Sequence, residues 1–81
     1  MSVLQSGEQM QKFGEKLFRL RKQHGMTMRE LASALNTTYG YISDLESGRR
    51  KPSLELGERI AELFNVSLDQ LAKDSLDLDG V

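Results

Sequence analysis

A chain of 81 residues has room for one domain, and a domain this small buries only about 60% of the surface its unfolded form exposes. Cysteine is absent, which removes disulfides, thiolate nucleophiles and thiolate metal sites and fits a reducing cytoplasm; no apolar run is long enough for a bilayer, and Met1 to Gln11 lack the pattern of a secretory signal. The net charge of -1 hides an asymmetry, because Met1 to Lys51 carry nine Lys and Arg against five Asp and Glu whereas Pro52 to Val81 carry two against seven; charge acts by face, so the basic first part is suited to phosphate even though the sum is not.

The helical period is clear from about Gln9 to Gln23, where Phe13, Leu17, Leu20 and His24 recur on one side and Lys12, Lys16, Arg19 and Lys22 fall on the others. Gly25 stops this helix. Thr27-Met-Arg-Glu30 is a capping box for a second helix that runs to Leu35 and buries Leu31 and Leu35. Asn36 supplies the turn, since asparagine enters the left-handed region at low cost. Thr38 caps a third helix from Tyr39 to Ser47, with Tyr41, Ile42 and Leu45 inward, Tyr39, Gly40, Ser43 and Asp44 outward, and Gly48 as its end.

The basic loop Arg49-Arg50-Lys51-Pro52 leads to Ser53, the cap of a fourth helix through Phe64 with Leu56, Ile60 and Leu63 as its stripe. Ser67-Leu-Asp-Gln70 is a second capping box and opens a short fifth helix through Lys73. Residues 1–8 form a polar extension, 9–73 the domain, and 74–81 an acidic tail that frays. No alternating run predicts a strand, so the fold class is all-α, five short helices around one core.

Within this order, Ala32 stands four residues after Met28, Asn36 four after Ala32, and Ile42 and Leu45 six and nine beyond Asn36. A small residue, a turn residue and two apolar locks at these intervals fit a helix-turn-helix. From Phe13 to Ala72 the chain resembles the Cro and repressor type of helix-turn-helix transcriptional regulator. The resemblance lies in Phe13-Gly14 with Leu17-Phe-Arg-Leu-Arg21, Gly25-Met-Thr-Met-Arg-Glu-Leu-Ala32, Tyr41-Ile-Ser-Asp-Leu-Glu-Ser-Gly48, Lys51-Pro-Ser-Leu-Glu55, Ile60-Ala61 and Val66-Ser-Leu-Asp-Gln-Leu71. It implies a compact five-helix, lambda-repressor-like DNA-binding domain, dimeric on double-stranded DNA, with its third helix in the major groove.

The resemblance assigns base readout to Thr38, Tyr39, Gly40, Ser43 and Asp44. Tyr39 offers a ring and a hydroxyl, Ser43 donates or accepts, Gly40 permits close approach, and Asp44 either accepts from a cytosine amino group or pairs with a neighbouring cation. Contacts to phosphate fall on Arg29, Tyr41, Arg49, Arg50 and Lys51, and a structural ion pair on Arg21 and Glu46. Met28 and Gly40 depart from the polar residues common at these positions. Leu63, Phe64, Val66, Leu68 and Leu71 supply either a dimer interface or closure of the monomer core; a homodimer would read an inverted repeat, most simply as a repressor.

An enzyme is not expected, because one histidine and no cysteine leave no nucleophile and base pair, and the carboxylates are scattered. No metal, cofactor, small-molecule substrate or membrane is implied. The alternative function is a protein-interaction module of the same fold, or an antitoxin-like regulator with a protein partner.

Overall fold

The computed structural model describes residues 12–73 and residue 78. Five helices follow one another, α1 (Phe13–Gln23), α2 (Met28–Ala34), α3 (Tyr39–Ser47), α4 (Leu54–Phe64) and α5 (Leu68–Ala72), and no strand occurs among the described residues. The start of the first helix predicted at Gln9 lies outside the described residues, as do residues 1–8 and most of 74–81.

Local chemistry sets most of the boundaries. Thr27 and Ser67 each close a capping box, accepting from the backbone N–H of Glu30 and Gln70 while those side chains accept from the cap residue's own N–H. Thr38 and Ser53 cap α3 and α4 by accepting from the N–H of Tyr41 and Leu56. At the other ends, Gly25, Asn36, Gly48 and Asn65 have φ of 65°, 58°, 86° and 57°. In each case this residue and the one after it turn their N–H groups back onto the last carbonyls of the helix, as when Gly25 donates to Lys22 O and Met26 to Arg21 O.

The core takes Phe13, Leu17 and Leu20 from α1, Leu31, Ala32 and Leu35 from α2 and its end, Ile42 and Leu45 from α3, Leu56, Ile60, Ala61 and Phe64 from α4, and Leu71 from α5. At the crossing of α1 with the end of α3 the backbones nearly touch. A Cβ at Gly14 would stand 2.5 Å from Glu46 O and 2.8 Å from Leu45 O, so only glycine fits.

Three expectations need correction. Lys16 is not on an outer face but buried, with its ammonium donating to Gln70 O and, at 2.8 Å, to Lys73 O. The carbonyl end of α5, where the helix dipole is negative, provides the polar surroundings that burial of the amine requires. The α4 stripe runs through Phe64 rather than Leu63, which is 39% exposed. Leu78, within the tail expected to fray, is buried against the core, and its carbonyl accepts from Gln70 Nε2 at 3.2 Å.

Candidate nucleic-acid interface

The tight turn at Asn36 and the cap at Thr38 fix how α3 leaves α2. Thr37 N–H donates to Ala32 O at 2.8 Å, and Thr38 Oγ1 accepts from Tyr41 N–H at 3.1 Å. With Ile42 and Leu45 fully buried, the helical period turns Tyr39, Gly40, Ser43 and Asp44 away from the core. Tyr39 is 45% exposed, and beyond its chain neighbours and its own helix backbone nothing lies within 4 Å of where a Cβ at Gly40 would be.

These side chains share one open concavity of about 590 Å³. Thr38, Tyr39, Gly40, Ser43 and Asp44, the five residues expected to read bases, line it together with Thr37, Tyr41, Arg49 and Arg50. Arg29 joins from α2, with its guanidinium carbon 5.2 Å from the centre of the Tyr39 ring, and Arg50 stands at the same distance over Tyr41. Lys51 is exposed just beyond this lining. Asp44 is engaged by a cation, since Arg49 Nε donates to its Oδ1 at 3.1 Å.

Behind the face, Arg21 holds α3 to α1. Its Nε and Nη2 donate to the two carboxylate oxygens of Glu46 at 2.7 and 3.1 Å, while Nη1 donates to Met26 O at 3.0 Å. Both side chains of the pair are only 9% exposed. The hydrogen bonds to Glu46 push the Arg21 pKa up against the opposing effect of burial, so the guanidinium keeps its charge. The exposed Phe18 ring lies 5.3 Å from the guanidinium carbon.

The five residues considered for a dimer interface divide. Phe64 and Leu71, at 4% and 1% exposure, are spent on the monomer core, whereas Leu63 is exposed and Val66 and Leu68 are half-buried. Sequence reading missed the roles of Thr37, Lys16 and Gly14. The signal for Lys16 was its spacing: it stands three residues after Phe13 and four before Leu20, on the core side of α1. Among the described residues there is no cluster of three or more His, Asp or Glu able to hold a metal, and no helix long and apolar enough to cross a membrane.

Two helices joined at a left-handed turn, the second with a polar outward face rimmed by arginines, define a helix-turn-helix unit. A family model described as helix-turn-helix matches residues 17–71, and the chain belongs to the Cro/repressor-type helix-turn-helix family. Over 60 residues, 74% of this chain, it is 35% identical to the HTH-type transcriptional regulator DdrOP3 of Deinococcus deserti. That match covers 46% of DdrOP3, so the chain spans about half the length of this curated relative.

Among solved structures, the biofilm master regulator SinR in complex with DNA is 27% identical with a TM-score of 0.67, over 73% of this chain and 95% of that one. Hydroxypropylphosphonic acid epoxidase from S. wedmorenis is 31% identical with a TM-score of 0.72, over 90% of this chain but 40% of the enzyme. The family relatives are transcriptional regulators rather than enzymes, and the likeness to the epoxidase is confined to part of its chain.

Proposed function

We propose that the chain is a sequence-specific, double-stranded-DNA-binding transcriptional regulator that lays α3 in the major groove. The observation that carries this reading is the concavity in which Thr38, Tyr39, Gly40 and Ser43 are grouped with arginines at its rim. A helix face of small and polar groups suits base edges, and cations beside it suit the phosphates that flank a groove. Arg29, Arg50 and Lys51, with the Tyr41 hydroxyl, take the phosphate contacts. Arg49, engaged with Asp44, stands apart from them. The SinR complex supports the mode by likeness of fold and sequence.

The finer reading is a cytoplasmic repressor acting as a homodimer on an inverted repeat, with the recognition helices about 34 Å apart on successive major grooves. Leu63 and Leu68 are the contact residues that the monomer leaves available. Selection of sites from random duplex DNA, at low and near-physiological salt, tests the function. The wild-type chain enriches an inverted repeat and a Tyr39→Ala/Ser43→Ala variant does not. Absence of enrichment with no salt-sensitive retention of duplex would instead favour a protein-interaction module, the reading to which the missing side chain at Gly40 and the neutralised Asp44 belong.

A further inference from the structure

The Asp44–Arg49 pair is poorly suited to phosphate. With its carboxylate 3.1 Å from the guanidinium, the pair carries no net charge, so it gains little from a phosphate and releases few counterions. It stands, however, in the same concavity as Tyr39, Gly40 and Ser43, and the Arg49 side chain is 68% exposed. Gly40 lies four residues before Asp44, on the same helix face, and presents no side chain there. A base edge therefore has an unobstructed approach to the pair.

The backbone reinforces the geometry. Both Arg49 N–H and Arg50 N–H donate to Asp44 O, at 3.0 and 3.2 Å, so the turn at Gly48 folds the chain back and returns Arg49 to the helix it has just left. The ion pair uses Arg49 Nε, whereas a guanidinium has two further nitrogens with four N–H donors. Guanine is the base whose major-groove edge offers two acceptors, O6 and N7, matched to such a fork.

We propose that Asp44 and Arg49 form one guanine-reading unit, in which Asp44 is the positioning residue that holds Arg49 Nε and Arg49 donates from its terminal nitrogens to guanine O6 and N7. This rests on the DNA-binding reading above and changes the roles of both residues within it. Asp44 orients a donor rather than accepting from cytosine, and Arg49 reads a base rather than a phosphate.

The test uses the full chain, with sites selected by the wild type and binding then measured by titration across a range of salt. The selected half-site contains a guanine opposite the C-terminal part of α3, and replacing it with 7-deazaguanine, which lacks the N7 acceptor, weakens wild-type binding several-fold. Arg49→Ala lowers affinity for the selected site by roughly ten- to a hundredfold. It removes discrimination at that position, becomes insensitive to 7-deazaguanine, and leaves the salt slope unchanged.

Asp44→Ala weakens the guanine preference and steepens the salt slope, because a released arginine is free to meet phosphate. Circular dichroism of both variants checks the fold, whose α3 end is held through the Asp44 carbonyl and not its side chain. Uniform weakening of Arg49→Ala across sequences with a salt slope shallower by about one would make Arg49 a phosphate contact and overturn the unit. An unchanged guanine preference in Asp44→Ala would overturn the positioning role. A wild-type chain that retains no duplex would sink the DNA reading itself, and the unit with it.

Discussion

Arg21 illustrates how much one side chain settles in a domain this small. It ties α1, the turn at Met26 and the end of α3 through bonds to Glu46 and Met26 O, in a setting where both members of the ion pair are nearly excluded from water. Deleting one partner strands the other's charge, so Glu46→Ala is expected to lower stability by about 3–5 kcal/mol, measured by urea unfolding. Arg21→Lys is expected to cost less, since an ammonium keeps the charge but does not match the carboxylate with two parallel bonds.

Gly14 makes the same point through space rather than charge. Gly14→Ala forces α1 away from the Glu46 carbonyl and is expected to cost about 1–3 kcal/mol, visible as a lower thermal midpoint, even though alanine is the better helix former. Neither the cramped position of Gly14 nor the burial of Lys16 follows from local pattern alone. Lys16 had the right spacing, but a lysine is read as solvated until a partner such as the end of α5, more than fifty residues later, is in place.

At the scale of elements, the legible features were those written within four or five residues. Thr27-Met-Arg-Glu30 and Ser67-Leu-Asp-Gln70 form the capping boxes that their spelling predicts, and Asn36 has the positive φ that the turn requires. The outward set of α3 was legible for the same reason, because the period of one helix assigns faces. What α3 holds on that face was not, since Arg29 over Tyr39 depends on how two helices cross. The partner of Asp44 was left open between cytosine and a cation, and choosing Arg49 required the reversal of the chain at Gly48.

One element-scale expectation tests whether the α3 terminus is set locally. Thr38→Ala removes the acceptor for Tyr41 N–H and is expected to cost about 1 kcal/mol in unfolding titrations. Thr38→Asp restores the capping oxygen and the stability, yet places a carboxylate in the groove, so stability recovers while DNA affinity falls.

The whole molecule divides its charge, with the basic first part supplying the rim of α3 and the acidic second part running through α4 and α5. If Arg29, Arg50 and Lys51 each neutralise one phosphate, a dimer releases counterions at six, and the logarithm of its binding constant should fall against the logarithm of salt with a slope of about -5. Sedimentation equilibrium with and without operator checks the stoichiometry on which this figure depends. The dimer set shows the limit of sequence reading at this scale: five apolar residues near the end of the domain looked equivalent, and only the packing reserved Phe64 and Leu71 for the interior.

The empty space at Gly40 has a consequence for how such a protein changes over generations. No neighbour lies within 4 Å of a Cβ there, and the residue is in the ordinary helical region, so most side chains can be installed without displacing anything. On the proposed reading, a substitution at this one position would give the outward face of α3 a new contact while leaving the core intact, and most side chains there would favour the helix more than glycine does. Operator preference and foldability would then be uncoupled, and a duplicated copy of the gene would have a route to a different set of binding sites through a single viable step.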